Sequence, residues 1–547
     1  MNTTPHTTPH TTPITTSLTS PHTTPHSVPL SVGQEAMKVA WQIDPRQWTN
    51  IIPVPLAVDG DLDPARLRHA VDRLGTAFPQ LRGRVTGSPG RHRLDWGDAP
   101  PIPVTEITSH LARDEAVRLA WQSPFDLRTG PLARVQLLTG PDWKVLLLTF
   151  HHIVADGASV LLLLEALRQA YAGEPVDVPG DPRALQAHAL RSVRLAEDTD
   201  GERHRAYWAA ELGTGITPLT LPATPADPPR PAMLSDVLPD DLVSGLRHRA
   251  ETSGVSYVTT LMAGYYALLR RHTGAQDVLS FLPFHGRTLE ETRQQVGYFV
   301  NLLPVRAQVS ATDTYTDVMR RLRGRVKSAL AHGDLPLPTI MRSAGLVGPQ
   351  ARELTHRSIF QYWHAGLRDG LDVMDLRLDA PGCHAVLSLQ DIESTAGFTL
   401  AVMVREDSAG THVLWKDPVG ALGEPLLKAL AADYQDILWT VADDPDTPVA
   451  GILSNPASDA VSGTGPADPA HTDDDALATM IGLWQDVLGI DDVRPEDSFF
   501  ELGGHSLLAE SLIIEVSRRF GREVDLSVLF SRPRLAEFTE HVVGPRP

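Results

Sequence analysis

KVLLLTFHHIVADG, residues 144–157, is the stretch on which the reading of this chain turns. Lys144–Phe150 is short and apolar, the pattern of a strand buried on both faces. His151 and His152 follow at once, and Asp156 and Gly157 close the segment. The end of a rigid strand, where a loop begins, is a favourable place for chemistry. Side chains along a strand alternate between its faces, so a strand running through the pair would aim the two histidines at different surfaces. A neutral imidazole, with an ordinary pKa of about 6.5, accepts a proton near neutrality. Asp156 is suited to fixing the loop by pairing with an arginine, and Gly157 permits backbone angles closed to other residues. The competing reading is two histidines with packing roles only. A zinc site would need a third ligand, and H-H-x3-D is not the spacing of HExxH.

Outward from this segment, helices and strands alternate. PARLRHAVDRLGTAF (64–78) places Leu67, Ala70, Val71, Leu74 and Phe78 at helical spacing. SYVTTLMAGYYALLRRH (256–272) reads as a mostly buried helix, and DVLSFLPF (277–284) as the strand after it. Residues 28–453 are therefore expected to form a mixed α/β region in two halves, divided near 180–230, where the Pro-rich stretch Ala223–Pro231 lies.

The ends differ in kind. Residues 1–27 repeat TTPH from Thr3, Thr7 and Thr23, a composition that cannot bury a core and reads as a disordered tail. Residues 454–472, SNPASDAVSGTGPADPAHT, read as a linker. Its 19 residues span roughly 25 Å as a coil and about 65 Å fully stretched. Residues 473–547 are helical in pattern. Ala476, Met480, Trp484 and Leu488 share one face, and Leu508, Leu512 and Val516 another, which fits an all-α bundle of four helices.

Within that bundle, DSFFELGGHSLLA (497–509) sets Ser506 after Gly503, Gly504 and His505, at the start of an apolar helix. Glycines there give a tight turn and an exposed hydroxyl, and a helix N-terminus attracts a phosphodiester. An ordinary capping serine is the plainer alternative. A serine hydrolase is a poor reading, because GHS lacks the G-x-S-x-G elbow.

Composition excludes other classes. The 547 residues are too many for one core and imply two to four units. A hydrophobic share of 42% and a charged share of 21% are those of an ordinary soluble protein. A formal charge of −19 argues against nucleic acid as a partner. No apolar run approaches the roughly 20 residues of a membrane span, and the polar N-terminus is no secretory signal. The single cysteine, Cys383, cannot form an internal disulfide, which fits a reducing, cytoplasmic setting. Beside AVLSL it reads as a buried structural thiol.

Taken together, these motifs carry a resemblance. HHIVADGAS resembles the HHxxxDG motif of nonribosomal peptide synthetase condensation domains and of related acyltransferases similar to chloramphenicol acetyltransferase. SPFDLRTGPLARVQLL (123–138), LPFHGRT (282–288), VGYFVNLLPVR (296–306), HGDLPLPTIM (332–341) and RELTHRSIFQYW (352–363) resemble further segments of the family, in order. LSVGQEAMKVAWQID, AFPQLRGR and Ala158 depart from its usual residues, and no YxDYAxW segment is present. The C-terminal motif resembles the peptidyl carrier domains of the same synthetases. The resemblance implies a two-lobed α/β condensation fold like chloramphenicol acetyltransferase, followed by a four-helix carrier. It makes His152 the active histidine, as base or as positioner of the attacking amine, and His151 structural. It pairs Asp156 with Arg287, places Asn301 and Ser159 in the cleft, and makes Ser506 the covalent attachment point of 4′-phosphopantetheine. It further implies an upstream donor carrier protein, a stand-alone adenylation enzyme that loads the carrier in trans, and a phosphopantetheinyl transferase. An ester-forming acyltransferase of the same fold and a non-catalytic scaffold that docks a carrier are the alternatives.

Overall fold

The computed structural model describes residues 26–449, apart from 47–49, 61, 89, 177–180, 214, 223–230, 365–375, 378–383, 388–397 and 408–409. In the C-terminal region it describes 473–488 and much of 493–544. The segment 144–157 organises the first of two six-stranded sheets. Its apolar run forms the strand Lys144–His151, in which every residue from Val145 onward is buried. The strand pairs antiparallel with Ile51–Asp59 on one side and Ala133–Thr139 on the other. Two helices pack together against this sheet, Pro64–Ala77 and Gly157–Ala172. The first is capped by Asp63, which accepts hydrogen bonds from the Ala65 and Arg66 amides, and it starts on a proline. It buries Leu67, Ala70, Val71 and Leu74, with Phe78 sealed just beyond its end.

The second sheet runs in the order Asn301–Gln308, Asp277–Phe284, Ser358–His364, Leu400–Asp407, Gly410–Asp417, Ala232–Leu238. Helices Asp240–Ser253, Tyr257–Thr273, Tyr315–Ala331 and Glu424–Asp443 pack with it around one core. Tyr257–Thr273 is buried along almost its whole length, with Tyr265 and Tyr266 fully enclosed.

Apart from one crossing, the first six-stranded sheet draws its strands from before residue 152 and the second from after residue 231. From the second half of the chain, His384–Leu387 returns to pair antiparallel with Ile51–Asp59, and Leu376–Arg377 pairs outside it. The first sheet is thus completed by strands far away in sequence, which local periodicity cannot announce. Ala223–Arg230 and Cys383 lie outside the described residues.

In the C-terminal region, helices Asp473–Leu488 and Leu535–Val543 enclose a separate core of Met480, Trp484, Phe499, Leu512, Val516, Leu535 and Phe538. Ala476 is buried with them, as its helical spacing requires. Ser506 and Leu508 lie outside the described residues. Among the described residues no helix is long and apolar enough to cross a membrane.

Candidate active site

The strand stops at His151, so it does not run through the histidine pair; His152 already belongs to a turn. The two rings still part company. His151 is buried, its Nδ1 accepts the Ile153 amide at 3.1 Å, and its edge meets Phe125. Burial, helped by the neighbouring His152, pushes its pKa down to about 3, so it is uncharged at neutral pH. The His152 amide donates to the Asn50 carbonyl at 2.7 Å, and Gln34 Nε2 donates to the Ile153 carbonyl at 2.7 Å. These bonds fix the turn from two other elements.

The His152 ring is partly exposed and meets Tyr298 edge to face, with centroids 5.5 Å apart and planes at 86°. Its Nδ1 is buried without a well-aligned hydrogen-bond partner among the described residues. Burial lowers its pKa, against the opposing pull of the Asp156 charge and of the His152 and Ala155 backbone. At neutral pH His152 is an uncharged imidazole able to accept a proton.

Asp156 caps the helix Gly157–Ala172, its Oδ1 accepting the Ser159 amide at 2.9 Å and hydroxyl at 2.8 Å. Arg287, from the loop after strand Asp277–Phe284, reaches across with both terminal nitrogens, each 2.7 Å from one carboxylate oxygen. The Phe299 amide adds a bond to Oδ2 at 3.1 Å. Arg287 also donates to Ser159 Oγ and to the Gln295 carbonyl, and its guanidinium lies 4.6 Å over the Phe299 ring. The pair is 1% and 7% exposed, so it ties the two lobes together out of reach of water. Burial alone would raise the Asp156 pKa, but the Arg287 charge and the bonds from Arg287 and Ser159 outweigh it and hold the carboxyl ionised. Ser159, expected in the cleft, is instead sealed inside this network, bonded to the Gly297 carbonyl and amide.

Gly157 serves by its size. Its φ is not positive, so backbone freedom is not the reason for it. A Cβ there would lie 2.9 Å from Trp363 of the second sheet. Gly157→Ala should therefore destabilise the protein by about 1–3 kcal/mol in denaturant unfolding, and a smaller residue at Trp363 should relieve part of that loss.

A cavity of about 520 Å³ opens between the lobes beside this turn. Helix Val32–Ile43 supplies one wall with Gly33, Ala36, Met37 and Ala40; Tyr298, Asn301, Thr288 and Asp334 supply the other. Asn301 faces it but acts on its own chain. Its Nδ2 donates to the Gly333 and Leu335 carbonyls, both at 2.8 Å, and its Oδ1 accepts the Leu337 amide at 3.0 Å. This holds the loop on which Asp334 meets Arg191 and, at 3.0 Å, the Thr288 hydroxyl. His188, not singled out by the sequence reading, also lines the cavity against Phe299, and burial followed by the Arg287 charge lowers its pKa to about 4.

These histidines carry a pH signature. Their folded pKa values lie below the unfolded value of about 6.5, so the unfolded chain binds more protons as pH falls from there. Stability should be fully present above about pH 6.5 and decline progressively toward pH 4, read as a falling urea midpoint. A flat midpoint over that window would contradict the burial of His151 and His188.

Gln34, Tyr298, His188 and the Arg191–Asp334 pair were missed from sequence. Only Gln34 had a local signal: Ser31 and Gln34 form a capping box at the start of Val32–Ile43.

Comparison with known proteins places the chain in a family. Residues 25–454 match the family model of the condensation domain, and residues 478–542 that of the phosphopantetheine attachment site. Tyrocidine synthase 2 of Brevibacillus parabrevis is 25% identical over 430 residues, 77% of this chain and 12% of the relative. Phosphinothricin tripeptide synthetase PhsB of Streptomyces viridochromogenes is 29% identical over 475 residues, 82% of this chain and 39% of the relative. The chain thus spans well under half the length of these relatives. The first condensation domain of the calcium-dependent antibiotic synthetase, solved in complex with a substrate analogue, superimposes with a TM-score of 0.63 at 23% identity, over 78% of this chain and 98% of that one.

Proposed function

The chain belongs to the condensation-domain family, with a phosphopantetheine attachment domain behind it, and from that premise we propose that it joins a carrier-bound acyl or peptidyl thioester to an amine. The reading is carried by one observation: His152 stands four residues before the buried Asp156–Arg287 pair that joins the lobes, its ring against Tyr298, which lines a cavity walled from both sides. In the reaction, the amine nitrogen bonds to the thioester carbonyl carbon and the carbon–sulfur bond breaks. His152 takes the proton the amine loses and returns it to the departing sulfur, or orients the amine for attack. His151, Asp156, Gly157 and Arg287 keep His152 in place, and Asn301 shapes the cavity wall.

Ser506 is the proposed attachment point of 4′-phosphopantetheine. Its motif falls within residues 478–542, which match the phosphopantetheine attachment model, and a serine hydroxyl is the group such an attachment requires. The arm, when bound, supplies a thiol that carries the acceptor as a thioester. The division proposed is a tail at 1–27, the condensation domain at 28–453, a linker at 454–472 and the carrier at 473–547. The proposed partners are an upstream donor carrier, a stand-alone adenylation enzyme that loads Ser506 in trans, and a phosphopantetheinyl transferase, in a cytoplasmic setting.

Two arms test this. Incubation with CoA and a phosphopantetheinyl transferase should add one arm to the intact mass; an arm gained equally by Ser506→Ala would remove the assignment. Amine and alcohol acceptors offered side by side to the loaded chain should give the amide. A preference for the alcohol would make the protein an ester-forming enzyme.

A further inference from the structure

Tyr298 touches both the active histidine and the cavity. Its ring meets His152 edge to face and also lines the cavity wall. Both of its chain neighbours are clamped: the Gly297 amide and carbonyl bond Ser159 Oγ, and the Phe299 amide bonds Asp156 Oδ2. The ring itself lies in a slot on helix Val32–Ile43. A Cβ on Gly33 would be 2.8 Å from Tyr298 Cε1 and 3.6 Å from its hydroxyl oxygen. Gly33 has no positive φ to explain it. The close approach of Tyr298 accounts for it. The ring is thus held from its backbone, from helix Val32–Ile43 and against His152.

We propose that Tyr298 is a positioning residue that fixes the His152 imidazole and covers one side of it, and that Gly33 exists to admit its ring. The inference rests on the reading of His152 as the group that handles the amine proton. The aromatic ring does the positioning; the hydroxyl makes no described hydrogen bond to His152. The other groups near His152 are neutral His151, ionised Asp156 and Arg287, which is bound to Asp156. Burial is the largest influence lowering the His152 pKa, so opening the Tyr298 side to water should bring it back toward the ordinary value of about 6.5.

The test uses the full chain and maps diethylpyrocarbonate modification of His152 by peptide mass across pH 5–8. Tyr298→Phe should react as the wild type does. Tyr298→Ala should react at least about fivefold faster at neutral pH, with its half-reactivity point moved up toward 6.5. In single-turnover amide formation Tyr298→Ala should lose about tenfold in kcat with KM little changed, and Tyr298→Phe should restore the rate. Gly33→Ala should resemble Tyr298→Ala, and the double variant should be no worse than either. Should alanine at 298 fail to fold, Tyr298→Leu keeps the bulk without the ring and is expected to show the same increase. Unchanged reactivity in the ring-less variants, or Tyr298→Phe as reactive as Tyr298→Ala, overturns the proposal. If the reactivity pattern holds while the wild type makes no amide from any donor, the positioning stands and the proposed reaction falls.

Discussion

Replacing His152 by alanine should slow amide formation by roughly 10²–10⁴ while moving the unfolding free energy by less than about 1 kcal/mol. The two effects separate because of where the ring sits. His152 is partly exposed, and its Nδ1 holds no well-aligned partner, so its removal strands little that is buried. The turn keeps its shape through backbone bonds that the substitution leaves intact, from His152 to Asn50 and from Gln34 to Ile153. On the proposed reading the loss is chemical, because His152 is the group assigned to the proton of the attacking amine. Single-turnover transfer from a loaded donor carrier, read beside thermal unfolding, checks both halves. An unaffected rate would mean that the fold docks a carrier without catalysing, or that His152 has no part in the step.

Arg287→Ala should have the opposite balance, with a loss of about 3–5 kcal/mol in unfolding free energy. The Asp156 carboxylate would remain buried with only the Ser159 amide and hydroxyl and the Phe299 amide to hold its charge. The pH dependence tells this cause from simple loss of packing. In the native protein the folded pKa of Asp156 lies below its unfolded value, so its contribution is present above about pH 4 and lost as pH falls further. Without Arg287, burial raises that pKa, the neutral acid becomes tolerable, and the deficit should narrow on acidification. Arg287→Lys should fall between, since it keeps the charge and loses the two-pronged contact. Denaturant unfolding at pH 7 and pH 4.5 measures all three. A deficit below about 1 kcal/mol at pH 7 would show that the pair does not bind the lobes.

What the sequence disclosed and what it withheld follow from distance along the chain. The strand Lys144–His151, the helix Pro64–Ala77 and the buried helix Tyr257–Thr273 were legible because burial leaves a local period or an unbroken apolar run. The Asp156–Arg287 contact was legible through motifs that the resemblance joined. The return of His384–Leu387 to the first sheet was not, because no period marks which sheet a strand enters. Gly157 was recognised for the wrong physical reason, since only the fold shows Trp363 against it. Ser159 and Asn301 were named for the cleft. Ser159 belongs to the buried network, and Asn301 spends both ends of its amide on the loop that carries Asp334. LSVGQEAMKVAWQID, which departs from the family's usual first motif, still supplies the bond from Gln34 to the histidine turn and the slot at Gly33.

The most direct test of the whole account is the mass of the Ser506 peptide after reaction. The chain is loaded in trans with an aminoacyl arm and mixed with a donor carrier bearing an acyl thioester. The account predicts that the donor acyl group appears on the arm at Ser506 as an amide, and that this transfer is lost to the stated degree in His152→Ala. An unchanged Ser506 peptide beside a released free acid, or equal transfer by His152→Ala, would contradict it.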